Sequence, residues 1–277
     1  MSILPLPSSF LLFATAKVDL TRDSKPLAET YDQLGARQCE HGKILIQELG
    51  VHAGERVLDV GCGTGLLTEH VANIVGETGI VVGIDPLLPR IEVASARARE
   101  NLVLRIGNAE DLSAFNDESF DVVFLNSVFH WLPDKTVALR EAHRVLKKGG
   151  RLGLSTAAKE QPHDSENLFQ IAFGEKDTDA HQIPHKVSGA ELSRLLEQTG
   201  FRTRSQRIRT FTDRFEDVDE LIAFCVSSSF GNALANFDAV QRDWARRALH
   251  AASVRYRLRN GKIQLRRHLI FAIAEKG

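Results

Sequence analysis

The nine residues Val57-Leu58-Asp59-Val60-Gly61-Cys62-Gly63-Thr64-Gly65 carry the strongest chemical signal in this sequence. A β-type apolar run passes into glycines at every second position and then into a helical pattern. Glycine adopts positive φ freely and lacks a Cβ, so such a turn bends tightly and admits a ligand close to the backbone. The following strand ends in Ile84-Asp85, 20 residues past Gly65, where a carboxylate meets the ribose hydroxyls of a bound nucleoside. Glycines alone would suit a ligand-free corner, whereas glycines between a strand and a helix with an acid so placed point to a nucleoside ligand. A dinucleotide fingerprint needs glycine at position 66, which is Leu66, and no Gly-Lys-Ser/Thr follows to make a phosphate loop. Cys62, inside the turn, reads as a small packing residue rather than a nucleophile. A second pair, His130-Trp131, follows a strand directly; His130 reads either as a base or as a hydrogen-bonding histidine, and Trp131 as an aromatic wall or as core.

These residues need elements to hold them. From about 50 to 157 short β-rich runs alternate with helical patterns, the order of a parallel sheet covered on both faces. The strands fall at Arg56–Val60, Ile80–Ile84, Leu102–Ile106, Phe120–Leu125 and Arg151–Ser155, with Gly149-Gly150 as the stop of the helix before the last of them. Upstream, Ala28–Leu49 reads as one helix ended by Gly50. Downstream, 157–187 reads as an irregular polar connection, and Ser188…Glu191, Asp217…Glu220 and Asp238…Gln241 as helix starts. Helices over about 218–229 and 239–256 then separate a strand near 203–210 from a last strand, Leu269–Ala274. The expected fold is a single α/β domain over 1–277 with a Rossmann-like, doubly wound, mostly parallel sheet, an antiparallel last strand, and helical additions forming a lid. Its parts are a cofactor-binding core at 52–156, N-terminal helices at 1–51, and an acceptor lid with the last strands at 157–277.

The acid followed by Gly-x-Gly-x-Gly resembles the first motif of the class I S-adenosylmethionine-dependent methyltransferases, and the resemblance extends over roughly 28–157. In that family Asp59 to Gly65, with Gly61, Cys62 and Gly63 between, would wrap the methionine end and ribose of S-adenosyl-L-methionine, and Asp85-Pro86 would take the ribose. Asn108-Ala109-Glu110 is similar to the loop that meets the adenine, with Asn108 where an aspartate is commoner. Asn126-Ser127 would end the strand beside the transferable methyl. The run Asn126 to Asp134 looks most like the trans-aconitate and juvenile-hormone-acid carboxyl methyltransferases, where a glutamine and a tryptophan hold the acceptor carboxylate; Gln38 and Trp131 stand in similar places. The resemblance therefore implies methyl transfer to a small organic molecule, a carboxylate first, with a thiol, hydroxyl or carbon of a secondary metabolite as alternatives. A cofactor-binding scaffold or a non-methylating enzyme would share the fold. Positioning acceptor and methyl can by itself supply about 7–11 kcal/mol, and a carboxylate or thiolate needs no strong base.

Composition fits such a ligand. The chain has 277 residues with 35 basic and 36 acidic side chains, giving no global charge that would draw nucleic acid or an anionic membrane. Residues 1–150 carry −5 and the remainder +4, much of it in Arg202, Arg204, Arg207, Arg209, Arg255, Arg257 and Arg259, which suggests a modest bias toward an anionic acceptor or a solvated face. From Arg202 to Arg209 no aromatic is interleaved for base stacking. Three scattered cysteines support neither a disulfide framework nor a metal site, which makes a cytoplasmic setting the expectation. The apolar opening lacks a basic residue before Lys17 and reads as an arm on the body rather than a signal, and no run is long enough to span a membrane.

Overall fold

A computed structural model describes residues 18–174 and 184–277. Two helices, α1 (Lys25–Leu34) and α2 (Ala36–Leu49), precede a core of β1 (Arg56–Val60), α3 (Leu66–Val75), β2 (Ile80–Asp85), α4 (Leu88–Ala94), β3 (Leu102–Ile106), β4 (Phe120–Asn126), α5 (Lys135–Val145) and β5 (Leu146–Ala157). There follow α6 (Asp164–Phe173), α7 (Gly189–Gln198), β6 (Phe201–Phe215), α8 (Val218–Ser228), α9 (Ala239–Ala252) and β7 (Ile263–Lys276). The strands form one sheet in the order β3-β2-β1-β4-β5-β7-β6. Neighbours from β3 to β5 run parallel, while β7 is antiparallel to both β5 and β6. Five parallel strands and an antiparallel pair are what the alternation of patterns led one to expect.

Alternate strand residues face opposite sides, so the sheet is buried on both. Leu58, Val82, Val123, Leu125, Leu152 and Leu154 pack with α5 and α7, whereas Val57, Val81, Val122 and Phe124 pack with α2 and α3. A third apolar cluster joins α6, α8 and α9 to the β6–β7 ends through Phe169, Phe215, Leu221, Phe224, Trp244 and Leu265. This cluster gives the segment after β5 a core of its own over one end of the sheet.

Several local expectations are corrected. The single helix over 28–49 is two, because Gly35 ends α1 through its N–H to Tyr31 O at 2.7 Å and then caps α2. The helix before β5 stops at Val145, and Gly149, at φ +72°, lies inside β5. The connection 157–187 contains α6, capped by His163 with Glu166, in its described part. Residues 175–183, and the arm over 1–17, lie outside the described residues. The helix from 239 ends at Ala252 in a 3-10 turn, and β6 and β7 run well beyond 203–210 and 269–274. β6 is an edge strand, and its charged outer side chains discourage pairing with other chains. Arg202 and Arg204 there meet Glu275, and Arg207 and Arg209 meet Glu48. None of these four lines the main cavity.

Candidate functional site

β1 and β4 are neighbours, yet β1 continues toward β2 and β4 toward β5, so the connections leave in opposite directions. A crevice opens at their carboxyl ends, the place where open α/β sheets bind ligands. The glycine turn occupies it. The N–H groups of Gly61 and Cys62 donate to Ile84 O at 2.7 and 2.9 Å. The Gly63 N–H donates to Asp85 Oδ2 at 2.9 Å, and the Leu87 N–H to Asp85 Oδ1 at 3.0 Å. Asp85 thus ties the turn to the start of α4. Its burial raises the carboxyl pKa, and the two N–H donors with the Arg90 charge offset this only in part.

Gly61 has φ +79°, and a Cβ there would lie 2.3 Å from Val128 Cγ2. Gly61→Ala is expected to cost about 2–3 kcal/mol, combining left-handed strain with overpacking. Urea unfolding would check this, and adding Val128→Ala should recover the packing share alone.

Asp59 is buried and accepts one hydrogen bond, from the Thr68 hydroxyl at 2.7 Å. Burial, helped by the Asp85 charge, pushes its carboxyl up to about 7. It lines a small cavity with Cys62, Thr64 and Cys39 that shares Tyr31, Gln38, Gly61, Gly63 and Asn126 with the main one. A buried acid with no cationic partner among the described residues, beside a glycine cradle, suits the ammonium end of a nucleoside ligand. Burial holds the Cys62 thiol well above its usual pKa, consistent with a packing residue.

The main cavity is lined by Gly61, Gly63, Asp85, Pro86, Asn108, Ala109 and Glu110 on one side. Asn108 Oδ1 accepts from the Glu110 N–H at 3.2 Å and shapes the loop after β3. Glu110 turns its carboxylate to the Asp134 N–H at 2.9 Å, bracing that loop against α5. Asn126 is held by the Ser155 hydroxyl at 2.7 Å and reaches Gln38 O at 3.4 Å. Ser127 sits at φ 60°, a conformation costing about 1–3 kcal/mol, and its N–H donates to both Ser155 oxygens at 2.9 Å. Gly65 lies behind the turn, with Ala94 and Leu104 around it.

Gln38, His130 and Trp131 also line the main cavity. Gln38 Oε1 accepts from Tyr31 OH at 2.5 Å, which leaves its Nε2 as the free donor. His130 Nδ1 accepts from the Ala157 N–H at 3.3 Å, so a neutral ring carries its proton on Nε2. Burial pushes the His130 pKa down to about 3. Trp131 stacks edgewise on Phe230, their centroids 4.9 Å apart. Tyr31, Arg90, Asp213, Phe215, Phe224, Cys225, Phe230 and Arg267 also line it and had no motif to announce them. They come from α1, α4, β6, α8, the turn after α8 and β7, and no spacing in the chain links them.

A family model described as a methyltransferase domain matches residues 58–154. The demethylmenaquinone methyltransferase of Staphylococcus aureus is 33% identical over 187 residues, an alignment covering 61% of this chain and 76% of that protein. Among solved structures, the YcgJ protein from Bacillus subtilis superposes with a TM-score of 0.57 at 23% identity, covering 84% of this chain and 97% of that one. The [4+2]-cyclase SpnF also gives 0.57, at 19% identity over 86% of this chain and 80% of its own. With a glycine cradle, an acid at the end of β2, a seven-stranded sheet closing on an antiparallel strand, and a relative aligned over three-quarters of its length, the chain belongs to the class I S-adenosylmethionine-dependent methyltransferases.

Proposed function

We propose that this methyltransferase acts on a small organic acid, with a carboxylate as first-choice methyl acceptor in the manner of the trans-aconitate and juvenile-hormone-acid enzymes. The supporting observation is a single cavity whose lining joins the cradle residues Gly61, Asp85 and Asn108 to Trp131, Phe215 and Phe224 of the opposite wall. When bound, S-adenosylmethionine supplies an electrophilic methyl group on a sulfonium. In this reading Asp59 faces the ammonium, Asp85 and Pro86 the ribose, the Asn108–Glu110 loop the adenine, and Asn126-Ser127 the methyl-transfer end. The segments 1–51 and 157–277 then frame the acceptor around the 52–156 core.

His130 supports an acceptor that needs no base. A neutral ring with Nδ1 engaged by a backbone N–H is a donor through Nε2, not a base for a phenol or amine. Acceptors that are already anionic need none. Gln38 Nε2 and the Trp131 indole supply further donors in the same cavity. The outer arginines are paired with Glu275 and Glu48, which supports a small-molecule partner rather than nucleic acid. Among the described residues no helix is long and apolar enough to cross a membrane, and all three cysteines are free thiols; a cytoplasmic setting is part of this proposal.

The test is transfer of a labelled methyl group from S-adenosylmethionine across small carboxylic acids, phenols, amines and thiols, with His130→Ala and Trp131→Ala alongside. Base-labile labelled esters are expected. Acceptor loss without label would instead assign a non-methylating reaction. A second expectation concerns pH. Because the Asp59 carboxyl titrates near 7 without ligand and must be ionised to hold an ammonium, S-adenosylhomocysteine affinity should rise about tenfold from about pH 6 to about pH 8. Calorimetry on Asp59→Asn should show a flat profile; an unchanged slope would move the ammonium elsewhere.

A further inference from the structure

Three arginines line the main cavity, and their hydrogen bonds separate them. Arg90 gives Nε to Asp23 and Nη2 to Ser227 O, at 2.7 and 2.6 Å. Arg266 is clasped by both oxygens of Asp164, at 3.0 and 3.2 Å, and its side chain is 63% exposed. Arg267 is different. Its side chain is only 14% exposed, and among the described residues it makes one hydrogen bond, from Nε to Asp213 Oδ2 at 2.9 Å. Both terminal nitrogens are left without a protein acceptor.

The surroundings hold this guanidinium in place. The Phe224 ring lies 5.2 Å from its central carbon. Asp213 is itself buried, with Oδ1 3.3 Å from His41 Nε2, and His41 stacks on Phe211 at 4.0 Å. His41 belongs to α2, one turn after Gln38. Phe215, Leu221, Cys225 and Leu265 add apolar surface to the same lining. A planar cation with two free parallel donors beside this apolar surface matches a carboxylate, and a neutral amide there, accepting through its carbonyl oxygen alone, would leave one of those donors unpaired.

We propose that Arg267 is the specificity-determining residue of the acceptor site, gripping a carboxylate of the acceptor with its terminal nitrogens while Asp213 sets its orientation. This rests on the small-molecule methyl-transfer reading above and adds the group that selects the acceptor. It also relocates the expected anionic bias from the outer arginines of β6 to one half-buried arginine on β7.

The test is calorimetry on the full chain loaded with S-adenosylhomocysteine, using phenylacetate, cinnamate and hexanoate against their primary amides. Wild-type protein is expected to prefer at least one acid over its amide by about 10- to 100-fold. Arg267→Gln should abolish the preference, and Arg267→Lys, which keeps the charge without the fork, should retain only part of it. S-adenosylhomocysteine affinity should be unchanged in both. Equal binding of acids and amides, no acid binding to wild type, or a preference surviving in R267Q would each overturn the proposal. An acid preference lost in R267Q, with no labelled methyl reaching those acids, upholds the anchor and removes only the carboxylate as the methylated group.

Discussion

Asp85→Ala is expected to weaken S-adenosylhomocysteine binding by at least about 100-fold, since hydrogen bonds to a charged group contribute about 1.5–3 kcal/mol each. Two losses combine. The carboxylate that would take the ribose disappears, and the Gly63 and Leu87 N–H groups, donating at 2.9 and 3.0 Å, lose their acceptor. The glycine turn is then released from the start of α4. Asp85→Asn keeps one oxygen for these donors and should fall between wild type and alanine. Calorimetry decides the matter: affinity within threefold of wild type for the alanine variant would separate Asp85 from the cofactor. Catalytic assays at saturating cofactor should recover much of the rate, because the proposed role of Asp85 is to hold the ribose and not the acceptor.

For Asp23→Ala the expected effect is on stability, about 3–5 kcal/mol, the usual consequence of stranding one partner of a buried ion pair. The Arg90 and Asp23 side chains are 2% and 0% exposed and meet at 2.7 Å. Arg90 also donates to Ser227 O and lies over the rings of Tyr31 and Phe230, at 4.3 and 4.9 Å from their centroids. One side chain on α4 thus joins the entry to α1, the end of α8 and two aromatic walls of the cavity. Against a typical total of about 5–15 kcal/mol, that loss would leave a marginal protein. Urea denaturation should show it, and Asp23→Asn with Arg90→Gln, which removes both charges, should cost less than Asp23→Ala. If the single and double variants unfold alike, the pair is not what holds these elements together.

Much of the cofactor half was readable from the chain. β1 and β3 match their expected bounds, Arg56–Val60 and Leu102–Ile106, because each is a short run rich in β-branched and aliphatic residues between breakers. The glycine turn and Asp85 were legible for a related reason, since a turn with positive φ beside a ligand accepts few residue types. Where the sequence misled, a local signal was outweighed by a contact from elsewhere. Gly35 and Gly42 look alike in the chain, yet Gly35 ends α1, and Gly42 stays helical with Asn126 and Leu67 pressed against it. His163 is no ordinary cap, and its role appears only with the His268 N–H donating to its Nδ1 at 3.1 Å.

The acceptor wall shows the limit most clearly. In the sequence, Arg266-Arg267-His268 is a polar stretch like Arg202 to Arg209. Only the pairing of β7 between β5 and β6, with α8 laid across, turns Arg267 toward Asp213 and the cavity while Arg207 and Arg209 meet Glu48 at the outer edge. By itself the sequence determined the cofactor and the sheet that carries it, because both depend on residues close together in the chain with narrow backbone requirements. Which side chains line the far wall of the cavity was decided by tertiary structure alone, since that wall is assembled from α1, α2, α4, β6, α8 and β7 by packing, and packing leaves no periodic trace in any one of them.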